Sequence, residues 1–358
     1  MLLLFCEEFS HTILKKVTSR LALDQLRSAS KMLLLLTTQL TTLASAAAAK
    51  PNIVFILMDD LGFNDVGWHG SEIQTPVLDN LVANGVELSR YYGHMICTPS
   101  RASIMSGKYA FGVGMQHSFW GTGQTGGLPL DVTTMGDALS AANYSTHFVG
   151  KWHLGFENAS YHPLGRGWGS YYGYLGGGED YVTHKSGKYL DFHDGHRNAF
   201  EAAGSYSTYL FANRSIDLID AHAKASAVTS GGDTQPFALM LAFQAVHAPL
   251  QAPADWVAKY AWITDSKRRT MAAMTSCVDH EIGRVVDALK TNGMYDNAII
   301  AVVADNGGPP YVANSNWPMR GGKVRTVYRR GNVFCCRSIS WGTSIFIYPS
   351  LSHTLPYH

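Results

Sequence analysis

Short runs of aliphatic and β-branched residues in this chain stop abruptly at charged or polar ones. Asn52–Met58 reads NIVFILM and is followed by Asp59-Asp60. A continuous apolar run of that length predicts a strand buried on both faces, as in a parallel sheet. Three further runs share this layout: residues 146–149 lead into Gly150-Lys151 and His153, residues 237–243 into Gln244-Ala245-Val246-His247, and Ala298–Ala304 into Asp305-Asn306. Helices are expected between them. Thr75-Pro76 opens residues 77–84 with a cap and a first-turn proline, and Gly85 closes them. Residues 135–142 and about 268–290 keep helical periodicity, and a short helix at 102–106 ends at Gly107. The alternation predicts an α/β fold, a large and mostly parallel central sheet flanked by helices. In such sheets ligands gather beyond the carboxyl ends of the strands. One polar strand end serves equally as solvated punctuation, but four together predict a shared site.

Composition narrows the class. With 358 residues, 46% hydrophobic and 15% charged, the chain can bury a large core, as one domain or two. Lys+Arg at 28 against Asp+Glu at 27 gives a net charge of +1, so no global field recruits nucleic acid or an anionic membrane, and an anionic ligand must be held by local charges. Residues 31–49 run from Lys31 through four leucines to a string of small residues, the layout of a secretory signal. Thr37, Thr38, Gln39, Thr41 and Thr42 dilute the run below what a spanning helix needs. Residues 1–49 are therefore expected to be an upstream extension plus signal, with Met32 as an alternative start, and no stable membrane span is expected. Three sequons, at Asn143, Asn158 and Asn213, are compatible with export. The five cysteines form neither a paired framework nor a zinc pattern; Cys6, Cys277, Cys335 and Cys336 read as structural.

Cys97-Thr98-Pro99-Ser100-Arg101 is the sharpest local signal, because it precedes an apparent helix whose N-terminus suits an anion. Alone it fits a buried cysteine before a capped helix equally well. Two segments resemble the signatures of the type I sulfatases: Cys97-x-Pro99-x-Arg101 followed by Gly107, and Gly150-Lys151-Trp152-His153 after Tyr144-Ser145-Thr146. Asn52-Ile53-Val54 through Asp59-Asp60-Leu61-Gly62, and Asp305-Asn306-Gly307-Gly308, resemble the metal-binding strand ends of that family. The likeness covers roughly residues 50–323. Within the family it is nearest to the N-acetylgalactosamine-4-sulfatase (arylsulfatase B) branch and its near relatives, through residues 147–155, Gly173-Tyr174-Leu175-Gly176 with Glu179-Asp180-Tyr181, residues 246–251, and Asn316-Trp317-Pro318-Met319-Arg320-Gly321. Met95, Ser106 and Asn143 depart from the usual residues of the signatures, and none is a reacting group.

The resemblance implies an alkaline-phosphatase-like sulfatase sandwich and the hydrolysis of a sulfate ester. Its first candidate substrate is the 4-sulfate of N-acetylgalactosamine in chondroitin or dermatan sulfate. It further implies that a formylglycine-generating enzyme, reading Pro99 and Arg101, converts Cys97 to formylglycine during export. A hydrated aldehyde has two hydroxyls, one to attack sulfur and one whose proton is lost when the aldehyde re-forms and sulfate leaves. By the same resemblance Asp59, Asp60, Asp305 and Asn306, with the oxygen on residue 97, are ligands of one Ca2+, an all-oxygen set suited to a hard cation. Arg101 would hold the hydrate. Lys151 would bind sulfate, and His153 would take the proton when the aldehyde re-forms. On an extended segment those two residues share a side. His247 would lie near the leaving oxygen, with Lys323 as a second sulfate contact. His69, His94 and His117 read as packing or surface residues.

Two other readings stay open: a two-zinc phosphoryl-transfer hydrolase of the same superfamily, and an inactive sulfate-binding relative. The first would need more histidine ligands than Asp305-Asn306 offers. After Lys323 the sequence leaves the family pattern, so residues 50–323 are expected to form a catalytic domain incomplete at its C-terminal end, and residues 324–358 a divergent tail foreign to it. A retained intron, a frameshift or an incomplete gene model would each produce that pattern. Exposed apolar surface and low stability are the expected consequences. The resemblance places the protein in the secretory pathway, in the lysosome or outside the cell.

Overall fold

The computed structural model describes residues 50–324, apart from 89–90, 118–119, 122–123 and 229–234, together with the backbone of a strand at Phe334–Arg337. The expected signal segment and most of the expected tail lie outside the described residues.

Ten strands are described: β1 (Asn52–Met58), β2 (Ser145–Lys151), β3 (Ser170–Tyr174), β4 (Lys185–Ser186), β5 (Tyr189–Leu190), β6 (His193–Asp194), β7 (Arg197–Asn198), β8 (Phe237–Ala242), β9 (Ala298–Ala304) and β10 (Phe334–Arg337). Eight of them form one sheet in the order β10-β9-β1-β8-β2-β3-β6-β7, while β4 and β5 pair as a separate hairpin. The five central strands, β9 to β3, run parallel; β10 at one edge and β6 and β7 at the other are antiparallel. The four apolar runs read from the sequence are β1, β2, β8 and β9, and their polar ends accordingly emerge on one side of the sheet.

Side chains alternate across β1 and feed two cores. Val54, Ile56 and Met58 join Leu239, Leu241, Ile300 and Val302 under the helix Ser266–Thr291, whereas Phe55 and Leu57 join Met240, Ala301 and Val303 on the opposite face, with Ala102 and Met105 of the helix Cys97–Ser106. The sheet is thus covered on both faces, as parallel sheets generally are. A 22-residue helix, Ser207–Val228, also packs here.

Three local expectations are corrected. The cysteine motif does not precede its helix but forms the first turn, since the helix spans Cys97–Ser106. Thr75 does not cap Pro76–Ala83: its hydroxyl donates to Asp79 Oδ1 at 2.8 Å and accepts from Gly67 N at 2.8 Å. Asp279, on the long helix behind, does the capping, accepting from Val77 N at 3.1 Å and Leu78 N at 2.8 Å. Strand β2 is longer than read from sequence and ends at Lys151, so His153 lies beyond it at φ 59°. Lys151 and His153 come to one site through a turn, not through strand alternation.

Candidate active site

Hydrogen bonds past the strand ends hold the polar residues side by side. Asp59 N donates to Ala245 O at 3.1 Å, Val246 N to Asp59 O at 2.7 Å, and Asp305 N to Met58 O at 3.0 Å. Trp152 N and His153 N likewise donate to Tyr174 O and Leu175 O, at 3.0 and 3.1 Å. Gly150 makes this packing possible. Its φ is 108°, and a Cβ there would lie 1.9 Å from Ala242 O on β8, a position no other residue could occupy.

Every site residue named from the sequence converges here. Cys97 Sγ donates to Asp59 Oδ1 at 3.5 Å, and Lys151 Nζ donates to Asp59 Oδ2. Arg101 spans the acidic strand ends: Nε and Nη2 lie 3.1 and 3.0 Å from Asp305 Oδ2, Nη2 lies 3.4 Å from Asp59 Oδ2, and Nη1 donates to Lys151 O at 2.8 Å. On Asp60, Oδ1 accepts from Asn306 Nδ2 at 2.7 Å, Oδ2 accepts from Lys323 Nζ at 2.8 Å, and His247 Nε2 lies 3.7 Å from Oδ2. His153 Nε2 sits 3.0 Å from Trp120 O and 3.4 Å from Thr98 Oγ1, beside the cysteine. Apart from the partly exposed His247 and Trp120, all of these groups are buried.

Burial and charge decide the protonation states. Burial alone would raise Asp59, but Lys151, His247, Arg101 and Lys323 overcome it and hold this carboxyl well below its ordinary value. Burial, with the like charge of Asp59, raises Asp305. Burial and then Asp59 push the Cys97 thiol far up, so the unmodified side chain is a neutral thiol and not a thiolate. Burial, reinforced by Lys151 and Arg101, holds His153 well below its usual range and therefore neutral. His247 is lowered by burial, with Asp59 and Asp60 opposing.

The oxygens at the acidic strand ends suit a hard cation, whereas the Cys97 thiol and the His247 imidazole among them do not. Asp59, Asp60, Cys97 and His247 each place a ligating atom within 4.8 Å of the others. Asn306 Oδ1 is buried and has no hydrogen-bond partner, a lone acceptor beside Asp60. Lys151 and Lys323 already pair with Asp59 and Asp60, so a bound cation would share those carboxylates with the two ammoniums. His247 enters the cluster although sequence reading gave it only a place near the leaving group. Asp305 faces Arg101 with one oxygen and Asp60 N with the other, at 3.3 Å.

Sequence reading missed Thr98 and Trp120 as contacts of His153, and Gly177, Gly178 and Tyr181 as contacts of the histidines. Thr98 stood inside the motif and Tyr181 inside a segment that carries the family resemblance, without a contact assigned to either; nothing local marked Trp120, Gly177 or Gly178. His69 bonds Phe63 O and Glu87, and His94 bonds Ser103, so both serve packing.

A cysteine at a helix N-terminus, two acidic strand ends and the surrounding Lys, Arg and His side chains define an α/β protein with a charged, buried site at the carboxyl ends of its parallel strands. The sulfatase family model matches residues 51–331, and the chain belongs to the sulfatase family. It is similar to arylsulfatase J of Mus musculus, 43% identical over 285 residues, covering 78% of this chain and 46% of that protein. It is also similar to N-acetylgalactosamine-6-sulfatase of Mus musculus, 28% identical over 323 residues, covering 84% of this chain and 59% of the relative. Among solved structures, Ps i-CgsB superposes with a TM-score of 0.73 at 33% identity, over 80% of this chain and 65% of that one. The expected sulfatase α/β fold is therefore observed. The chain spans about half the length of the curated relatives it matches.

Proposed function

We propose that the protein hydrolyses a sulfate ester, with the 4-sulfate of N-acetylgalactosamine in chondroitin or dermatan sulfate as the first substrate to try. The observation that carries this reading is the seat of Cys97: it lies at a helix N-terminus against Asp59, with Lys151, Lys323, Arg101, His153 and His247 around it. Residue 97, as a formylglycine hydrate, would supply a nucleophilic hydroxyl and a second hydroxyl for product release. Asp59, Asp60, Asp305 and Asn306 would hold one Ca2+, which supplies Lewis-acid polarisation of oxygen when bound.

The side chains then have distinct tasks. Lys151 and Lys323 bind the sulfate oxygens and offset their charge. Arg101 keeps the acidic strand ends in place and orients residue 97. His247, with Lys323, attends the leaving oxygen, which keeps the S–O electron pair and takes up a proton as that bond breaks. His153, held neutral, accepts a proton from residue 97 as sulfate departs. Cys97, Pro99 and Arg101 are all buried in the folded chain, so conversion by a formylglycine-generating enzyme would have to precede folding. An exported protein, lysosomal or extracellular, goes with that requirement.

The test combines mass spectrometry of the Cys97 peptide with turnover of sulfated N-acetylgalactosamine disaccharides, both on the secreted protein. Conversion of Cys97 is expected to lower the residue mass by about 18 Da, the net of replacing CH2SH with CHO, and C97A is expected to abolish turnover. A fully unmodified cysteine with no turnover of any sulfate ester would leave a sulfate-binding protein instead.

A further inference from the structure

The segment after β3, Leu175-Gly176-Gly177-Gly178-Glu179-Asp180-Tyr181, has no task in the chemistry above, yet it touches both histidines. A Cβ on Gly177 would lie 2.8 Å from His153 Nε2 and 3.0 Å from its Cε1. A Cβ on Gly178 would lie 3.2 Å from His247 Cε1 and 3.3 Å from Nδ1. Neither glycine has a positive φ, so the backbone does not require glycine at either position. What requires it is the closeness of the rings. Tyr181 adds a third contact, its hydroxyl donating to His247 O at 2.8 Å.

The segment cannot easily retreat. Asp191 accepts from Leu175 N and Gly176 N at 2.9 and 2.8 Å, Gln244 Nε2 donates to Glu179 O at 2.6 Å, and Tyr181 N donates to Gln251 Oε1 at 2.9 Å. A side chain added on Gly177 or Gly178 would therefore move the ring and not the backbone.

We propose that Gly177 and Gly178 are positioning residues, each setting the seat of one histidine: Gly177 that of His153 and Gly178, with Tyr181, that of His247. This rests on the roles given to those histidines above. It makes the two glycines separable. The role of His247 concerns the leaving oxygen, and a nitrophenolate-type leaving group needs little protonation whereas a sugar alkoxide needs it. The role of His153 concerns residue 97 and does not depend on what has left.

The experiment compares wild type, G177A, G178A and Y181F, each as the full chain, on 4-nitrocatechol sulfate and on an N-acetylgalactosamine-sulfate disaccharide. G178A is expected to lose kcat/KM about 10-fold or more on the sugar sulfate and less than about 3-fold on the aryl sulfate, and Y181F to show the same selectivity more weakly. G177A is expected to lower kcat by one factor on both substrates. Crystal structures of G177A and G178A are expected to show His153 and His247, respectively, displaced by a few tenths of an ångström. Equal losses of G178A on both substrates, or unmoved rings, would overturn the proposal. Should wild type turn over neither substrate, the sulfatase reading fails by itself, and the ring positions still decide whether the glycines seat the histidines. If G177A does not fold, G178A and Y181F carry the decision.

Discussion

Arg101 is 2% exposed and sits between Asp305 and Asp59, while its remaining nitrogen donates to Lys151 O. Its guanidinium spans three partners at once, which a lysine ammonium on a flexible stem cannot do. Burial would lower its proton affinity, but Asp305 and Asp59 raise it above the ordinary value, so the charge is permanent. R101M would leave two buried carboxylates short of their counter-charge, a change that costs about 3–5 kcal/mol. R101K would keep the charge but lose the fork, and is expected to cost about 2 kcal/mol. Denaturant unfolding of the three proteins should place R101K between wild type and R101M. Equal stability of all three would mean that the arginine serves only the modifying enzyme or the substrate. The same logic explains why the polar strand ends were legible in the sequence, whereas Arg101 and Lys323 were named only through the family resemblance. Asp, Asn, Lys and His at the ends of buried strands are costly unless used, so their residue types announced them. Thr98, Trp120 and the two glycines act by proximity alone, and no residue type announces proximity.

At the scale of elements, β1, β2, β8 and β9 were readable because strands buried on both faces are written as continuous apolar runs. Ser207–Val228 was not readable. Its buried residues include Ser207, Thr208, Ala212 and Ser215 beside Phe211 and Ile219, so small and polar side chains hide the helical stripe. The cap of Pro76–Ala83 was misread for a related reason: the acceptor is Asp279, about two hundred residues away, and not the adjacent Thr75. That long-range cap carries a pH signature. Burial pushes Asp279 up to about 7 from 3.8, with Asp79 adding to the rise and the Leu78 and Val77 amides opposing it. The folded state thus holds a proton that the unfolded chain has released. The associated stability is fully present below about pH 3.8 and is lost as pH rises through about 7. Between pH 5 and pH 8 wild type should lose at most about 3 kcal/mol from this group. D279N, which does not titrate, should lose correspondingly less over the same interval. Urea unfolding at the two pH values checks it, and parallel pH dependences in the two proteins would rule out the assignment.

On the scale of the whole molecule, the site joins parts of the chain that are far apart in sequence. Asp59 and Asp60 follow β1, Cys97 and Arg101 lie on a helix, Lys151 ends β2, His247 follows β8, and Asp305 and Asn306 follow β9. The Asn306–Asp60 bond alone closes a span of 246 residues. Under the calcium reading one ion would link the ends of β1 and β9, whose carboxylates otherwise repel one another. A ligand that binds the folded chain and not the unfolded one stabilises it by about 2.7 kcal/mol at one hundred times its dissociation constant. For a chain of this size that corresponds to a rise in melting temperature on the order of 5 °C. Adding CaCl2 to EGTA-treated protein should therefore raise the melting temperature by that order. Mg2+ should do less, because it tolerates neither long bonds nor irregular geometry. D60N should lose most of the calcium effect while keeping the Asn306 contact through its amide oxygen. Melting curves that coincide in calcium and in EGTA would remove the ion from the account, and the acidic strand ends would then serve only to anchor Lys151, Lys323 and Arg101.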